Sequence, residues 1–184
     1  MKFRTEIEVK PFTQKIDHKS RIFSIGSCFA KYMADEFSEA KFQICSNPFG
    51  VMFNPASIHT ALHRIAECRM FDSEDITFDN GWWFGYDLHS DFNAISSSRI
   101  LQKSNAALVE GNMLLNDSDL VIITFGTAWI YTLNENGKIV ANCHKQPASK
   151  FTRRRLSVAE IVGMYDELMR GVFADKQVIF TVSP

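Results

Sequence analysis

The sequence has no long hydrophobic run and almost no excess of charge of either sign. No apolar stretch approaches the roughly 18 residues that a membrane-spanning helix requires. The amino terminus, MKFRTEIEVKPF, also lacks the apolar segment of a secretory signal peptide. With 20 basic and 21 acidic residues, the chain has no basic surface dense enough to attract a polyanion. We therefore expect a cytoplasmic protein that binds neither membranes nor nucleic acids.

Cysteines and metal ligands are also sparse. The 4 cysteines are Cys28, Cys45, Cys68 and Cys143. They form no CxxC pair and are too few for a disulfide scaffold, so we expect free thiols. His59 and His63 lie four residues apart on a predicted helix, but no acidic or third ligand accompanies them at a useful spacing. We interpret this pair as part of a solvated helix face and predict no metal site.

What the chain does contain is enough apolar material for one core. Its 184 residues are 46% hydrophobic, which favours one domain that spans residues 1–184. Short apolar runs typical of buried strands lie at residues 21–27, 42–45, 119–126 and 177–184. Apolar periodicity and capping residues predict helices that begin near residue 28 and at residues 55–68, 99–115 and 157–174. This alternation predicts an α/β domain whose mostly parallel sheet has helices on both faces.

Turn-forming residues mark the ends of these predicted strands. Asn-Gly pairs at residues 80–81 and 136–137 predict two β-hairpins, and the basic run at residues 153–155 is interpreted as a solvated loop. Loops at residues 26–28, 46–50, 126–127 and 183–184 follow the four predicted strands. Because the carboxyl ends of parallel strands meet at one edge of a sheet, where ligands bind, we expect these loops to converge there.

Several motifs together point to a family. The segments GSCFA, NPFGVMFNP, ITFGTAWIY, NCHK, LSVAEI and IFTVSP closely resemble the GSCFA family of bacterial proteins, over almost the whole chain. That family is similar to the SGNH, or GDSL-like, hydrolases. The resemblance implies a flavodoxin-like three-layer α/β/α fold and an esterase, deacetylase or acyltransferase activity.

The resemblance also implies roles for individual residues. Gly26 matches the glycine, and Cys28 the nucleophile, of the Gly-x-Ser corner of SGNH enzymes, so that a thiol replaces the usual hydroxyl. Gly50 matches the oxyanion-hole glycine. The third motif, Gly-x-Asn, falls on residues 126–128, where the asparagine is absent and only the Thr127 hydroxyl is nearby. The family's catalytic histidine follows the fifth strand, and GSCFA proteins usually continue beyond TVSP. The resemblance therefore implies that this chain is part of a longer protein.

Cys28 has a physical reason to react, because a helix amino terminus favours negative charge and a thiolate is the nucleophilic form of cysteine. The amide groups there could also stabilise an oxyanion. One alternative is that Cys28 is merely a small residue in a crowded turn, with Ser27 capping the helix. A further alternative makes Ser27 the nucleophile.

The nucleophile needs a base, and His144 is the candidate that the sequence favours, since its hairpin leaves the strand next to the expected site. It could equally be a surface hairpin residue or bind substrate, whereas His89 lies in an irregular segment. Lys145 and Arg153 could hold an anionic group such as the phosphates of an acyl carrier. Trp129 could line an acyl- or sugar-binding wall or pack in the core.

These residues lead to a functional expectation. We expect acyl transfer or ester hydrolysis on a small-molecule or carbohydrate ester, with Cys28 as the nucleophile and with Cys28, Gly50 and Thr127 as the oxyanion hole. No cofactor is expected, although an acyl carrier such as coenzyme A could be a co-substrate. The alternative is a non-catalytic binding module on the same scaffold, which the absent asparagine of the third motif favours. The sequence does not indicate an oligomeric state.

Overall fold

The computed structural model describes residues 10–183 of the chain, and its centre is a four-stranded parallel sheet. The strands are β1 (Arg21–Gly26), β2 (Gln43–Ser46), β3 (Thr77–Asp79), β4 (Trp82–Phe84), β5 (Leu120–Phe125), β6 (Trp129–Leu133), β7 (Ile139–Val140), β8 (Phe151–Arg155) and β9 (Gln177–Val182). The parallel sheet has the strand order β2-β1-β5-β9, and every pair in it is parallel. All four predicted strands are therefore confirmed, each within one or two residues, but only β1 and β5 are buried, whereas β2 and β9 lie at the edges of the sheet and are partly exposed.

Four α-helices accompany these strands. They are α1 (Cys28–Glu39), α2 (Pro55–Ala66), α3 (Ser97–Asp117) and α4 (Val158–Arg170). The predicted cap of α2 is confirmed, because Asn54 accepts a hydrogen bond from the Ser57 amide at 2.8 Å. Before α4, the Ser157 and Glu160 side chains each accept a hydrogen bond from the other residue's amide, which confirms the predicted capping box.

Helices cover both faces of the parallel sheet. On one face the buried side chains of β1 and β5 pack against α2, α3 and α4, and they are Phe23, Ile25, Val121 and Ile123. On the other face Ile22, Leu120 and Ile122 form a smaller cluster with residues that include Phe37 of α1. The alternation arises because successive side chains of a strand point to opposite faces. This arrangement is the predicted α/β fold and is consistent with a flavodoxin-like three-layer α/β/α architecture.

Two small antiparallel sheets lie outside this frame. Both predicted hairpins are present, as β3-β4 and as β6-β7. The interpretation of residues 153–155 as a solvated loop is wrong, because they belong to β8, which pairs with β6. Their arginine side chains remain exposed while their backbone completes the sheet order β7-β6-β8. Charged residues are common on edge strands, where they discourage pairing with further chains.

Two expectations from composition can also be compared with the fold. Within residues 10–183, no helix is both long enough and apolar enough to cross a membrane. All four cysteines are free, as predicted. Cys28 is exposed, whereas burial, and secondarily Glu110, raise the pKa of the Cys45 thiol to about 12.

Candidate active site

The predicted site begins at the turn between β1 and α1, residues 26–28, which we call the Cys28 corner. The Gly26 N–H donates to the Asn47 side-chain oxygen at 2.8 Å, and the Gly26 carbonyl accepts from the Met52 N–H at 2.9 Å. Gly26 has a φ of +141°, and a Cβ on it would lie 2.1 Å from the Thr124 carbonyl oxygen. The corner therefore requires glycine, both for its backbone conformation and for its close approach to β5.

The backbone and the hydroxyl of Ser27 both make hydrogen bonds that stabilise this corner. Its side chain is 1% exposed, and its N–H donates to the Thr124 carbonyl at 3.1 Å. The Ser27 hydroxyl caps α1 by accepting from the Phe29 N–H at 3.3 Å, and it is hydrogen-bonded to the Ser183 hydroxyl at 3.0 Å. A buried hydroxyl with two partners is poorly placed to attack a substrate, so this geometry argues against Ser27 as the nucleophile.

These contacts confirm that the four loops converge. Residues following β2, β5 and β9 all reach the Cys28 corner, through Asn47, Gly126 and Ser183. Next to the buried Ser27, Cys28 is exposed and occupies the first position of α1. The first turn of a helix leaves amide groups without intrahelical partners, and its dipole favours an anion there. The corner thus presents one accessible thiol in the first turn of a helix.

The two other residues expected in the oxyanion hole already have internal partners. The Gly50 N–H donates to the Asn47 carbonyl at 2.8 Å, which closes a turn in the loop. The Thr127 N–H donates to the Phe53 carbonyl at 3.0 Å. The Thr127 hydroxyl accepts from the Trp129 N–H at 3.2 Å, which leaves its own proton for another acceptor. Of these two residues, therefore, only Thr127 has a donor, its hydroxyl group, that is still free to bind an oxyanion.

The imidazole ring of His144 is hydrogen-bonded to two backbone carbonyl groups. Its Nε2 lies 2.9 Å from the Gly85 carbonyl oxygen and 3.1 Å from that of Leu88. Because both partners are acceptors, Nε2 carries the proton. Nδ1 is buried without a partner among the described residues, and the ring stacks on Phe84 at 4.6 Å. Burial lowers the pKa of His144, so the ring is neutral at pH 7. This geometry fits a residue that holds a loop better than one that exchanges protons.

The loop that His144 holds carries another histidine, His89. The His89 N–H donates to the Phe49 carbonyl at 2.9 Å, and Gly50 approaches so closely that a Cβ there would lie 2.1 Å from the His89 Cβ. Segment 47–54 therefore contacts both His89 and the Cys28 corner. His89 Nδ1 accepts a hydrogen bond from the Asp91 N–H at 3.3 Å and also lies 3.1 Å from an Asp91 carboxylate oxygen, and no described residue is hydrogen-bonded to Nε2. In the neutral ring, an accepting Nδ1 places the proton on Nε2, so Nε2 can serve as a base only in the other tautomer, whose Nδ1 proton faces the carboxylate.

The sequence contained a weak sign of this pair. His89 and Asp91 are two residues apart, and the chain between β4 and α3 has few other markers. Nothing in that spacing connects the pair to Gly50 or to Cys28, which are about 40 and 60 residues away in the sequence. Only tertiary contacts make His89 a candidate.

Comparison with known families gives a match over most of the chain. Residues 21–184 match the GSCFA family, and this span begins at the first residue of β1. The chain belongs to the GSCFA family. Comparisons with curated proteins and with solved structures give no match.

In this GSCFA protein, the expected substrate-binding residues lie on or beside the three-stranded sheet that follows β5. The Arg153 guanidinium stacks over the Trp129 ring at 4.0 Å and lies 5.8 Å from the Tyr131 ring. Trp129 and Tyr131 are 40% and 39% exposed, so together with Arg153 they form a cationic aromatic surface. Lys145 is exposed next to His144. The Trp129 amide contacts Thr127, so this surface begins beside the carboxyl ends of the parallel strands.

Proposed function

We propose that this protein catalyses acyl transfer or ester hydrolysis through a thiolate at Cys28. The observation that carries the proposal is the Cys28 corner itself. It places one exposed thiol at a helix amino terminus, where loops from all four parallel strands meet, while the neighbouring serine is buried. A nucleophile on a sharp strand-to-helix turn is also the device of the SGNH hydrolases, to which we infer a relationship.

The chemistry divides into two steps. The Cys28 sulfur attacks the acyl carbon, so that a C–S bond forms and the ester C–O bond breaks, and the departing alkoxide takes a proton from a histidine. Water or an acceptor hydroxyl then attacks the thioester, gives its proton to that histidine and releases the thiolate. The Cys28 amide and the Thr127 hydroxyl are the donors available for the oxyanion.

Of the five histidines, His89 fits the role of base better than His144. The Asp91 N–H and carboxylate both face His89 Nδ1, and no described residue is hydrogen-bonded to its Nε2, whereas both ring nitrogens of His144 are buried or bonded to carbonyls. We assign His144 to positioning, because its contacts with Gly85 and Leu88 fix the segment that carries His89. Asp91 would keep the His89 ring oriented through its contacts with Nδ1.

The substrate class follows from the cationic aromatic surface. Trp129 and Tyr131 provide flat rings suited to a sugar or an acyl chain, and Arg153 and Lys145 could bind a carboxylate or the phosphates of an acyl carrier such as coenzyme A. We therefore infer a carbohydrate or small-molecule ester as substrate. The free thiols fit a reducing compartment, in agreement with a cytoplasmic location.

A second function is a non-catalytic binding module. The observation in its favour is that the Gly50 amide, the expected oxyanion donor, is already bonded to Asn47. In that case the carboxyl ends of the strands and the cationic aromatic surface would bind a ligand without any covalent step.

Mass spectrometry after incubation with p-nitrophenyl acetate separates the two functions. We expect one acetyl group on Cys28 of the unmodified protein and none on Cys28→Ala. Cys68→Ala is a matched control, since it removes a less exposed thiol outside the corner. His89→Gln should slow hydrolysis of the acetyl thioester more than about tenfold, because in that step the histidine acts as general base for the attacking water.

Two results would contradict the enzyme assignment. If Cys28→Ala acquires the same adduct as the unmodified protein, the nucleophile lies elsewhere. If the unmodified protein binds the ester without any adduct or turnover, the binding module is the correct function. Equal rates of thioester hydrolysis in His89→Gln and the unmodified protein would remove His89, but not Cys28, from the mechanism.

A further inference from the structure

A second cluster of chemically active side chains lies between α2 and α4, apart from the Cys28 corner. His59 and His63 project from α2, and Glu167 projects from α4. One ring nitrogen of each histidine and one carboxylate oxygen of Glu167 all lie within 4.8 Å of one another. The interpretation of the histidine pair as a solvated face without an acidic neighbour is therefore wrong. The sequence did not indicate that Glu167 is close to the two histidines, because it lies over 100 residues away from them.

An independent observation points to a ligand at this cluster. The Nε2 atoms of both His59 and His63 are buried, and neither has a hydrogen-bond partner among the described residues. Buried polar atoms in folded proteins are almost always partnered, because leaving one without a partner costs about 1–3 kcal/mol. Here two such atoms belong to adjacent rings, whose centroids are 4.5 Å apart. A metal ion at the cluster could bind one ring nitrogen of each histidine.

We propose that His59, His63 and Glu167 bind a divalent transition-metal ion, with Zn²⁺ the ion that this set of donors fits best. Two imidazole nitrogens and one carboxylate are a ligand combination that zinc accepts, with a fourth position for water. Hard cations such as Mg²⁺ and Ca²⁺ prefer oxygen donors, so two histidines select against them.

The surroundings support such a site. The two helices are held together next to it, since the Tyr165 hydroxyl donates to the Pro55 carbonyl at 2.9 Å and the Tyr165 ring packs against His59. Glu67, one turn after His63, lies 3.9 Å from His63 Nδ1 and can orient that ring. Glu167 is exposed, which gives an ion a path from solvent. Donor atoms around one zinc ion are roughly 3.3 Å apart, so binding requires only small side-chain rotations.

The ion would link α2 to α4, on the face of the parallel sheet that holds the larger core. The two histidines are separated by Thr60, Ala61 and Leu62, so α2 does not carry the H-E-x-x-H motif of metalloproteases. This site is independent of the proposed chemistry at Cys28.

Calorimetric titration of the metal-free, reduced protein with Zn²⁺ tests the proposal. We expect one equivalent to bind, with an affinity that falls more than about tenfold in both His63→Gln and Glu167→Gln, since losing one of three ligands exceeds the 10–100-fold effect of an outer residue. His18→Gln is the matched control, because His18 is hydrogen-bonded to Ala40, outside the cluster. Circular dichroism establishes that each variant is folded.

Two further measurements distinguish this site from binding by the free cysteines. The Co²⁺ complex should show a visible spectrum without the intense near-ultraviolet band of thiolate ligation. Zn²⁺ should also raise the melting temperature of the unmodified protein and of His18→Gln, but not that of His63→Gln, because an ion that binds only the folded state stabilises it. Unchanged affinity in His63→Gln and Glu167→Gln, or a thiolate band with Co²⁺, would overturn the proposal.

Discussion

The Cys28 corner and the His144 hairpin, which is β6-β7 with the loop that follows, each contain a residue type common in catalysis. The two regions differ in whether that side chain makes structural contacts. At the corner, backbone and serine groups make the structural hydrogen bonds, and the Cys28 thiol is left exposed. At the hairpin, the His144 ring makes the structural contacts itself, through two carbonyls and an aromatic stack. The His144 ring is occupied by contacts that hold the fold. The Cys28 thiol remains accessible because the residues around it make the structural hydrogen bonds.

This contrast predicts that stability and activity separate between the two regions. Changes to the backbone of the Cys28 corner should be the most destabilising, changes to His144 intermediate, and changes to the Cys28 thiol nearly neutral for stability.

The largest effect is expected for Gly26→Ala. The new Cβ would lie 2.1 Å from the Thr124 carbonyl oxygen, on a backbone with φ of +141°. We expect the free energy of unfolding, measured by urea denaturation, to fall by about 3 kcal/mol or more. Gly137→Ala is the matched control, because its φ of +75° is also positive but a Cβ there would meet nothing within 4 Å. That variant should lose only about 1 kcal/mol, and equal losses would show that the corner is not sterically closed.

An intermediate effect is expected for His144→Phe. The phenyl ring can keep the stack on Phe84, but the Gly85 and Leu88 carbonyls lose their donor. We expect a loss of about 1–3 kcal/mol in the free energy of unfolding. If His144 were the catalytic base, this variant would instead lose hydrolysis of the acyl thioester at unchanged stability.

The same variant should alter the pH dependence of stability. Burial, and secondarily His89, lower the pKa of His144 below its ordinary 6.5, so the unfolded chain binds the proton more tightly than the folded one. Stability from His144 is therefore complete above pH 6.5 and decreases as the pH falls toward the folded-state pKa. The slope is at most about 1.4 kcal/mol per pH unit for one group. His144→Phe should lack this component, and identical pH profiles for the two proteins would contradict the assignment.

The smallest effect on stability belongs to the thiol that we expect to be most reactive. Cys28→Ala should change the free energy of unfolding by less than about 0.5 kcal/mol, because the side chain is exposed. In the native protein, iodoacetamide should modify Cys28 at least about 100-fold faster than Cys45, whose thiol has its pKa raised to about 12. Peptide mapping after timed labelling measures both rates, and faster modification of Cys45 would reverse the comparison.

The sequence by itself determined the parallel sheet and its helices. Apolar runs such as that of β5 and caps such as Asn54 and Ser157 act over a few residues, so their meaning does not depend on distant parts of the chain. The Cys28 corner was also predictable, because a glycine after a buried strand and before a helical pattern specifies a turn. Strand β8 was missed because its three arginines have no apolar pattern, and its pairing with β6 decides its structure.

Only the tertiary structure decided what the histidines do. His144 was the expected base, but contacts with Gly85 and Leu88, more than 50 residues earlier, commit its ring to the backbone. His89 became the better candidate through its contact with Gly50, and the His59 and His63 pair gained Glu167 from another helix. A histidine ring can donate, accept, ligate or stack, and its neighbours select among these functions. In a folded chain those neighbours come from distant positions, so local patterns cannot identify them.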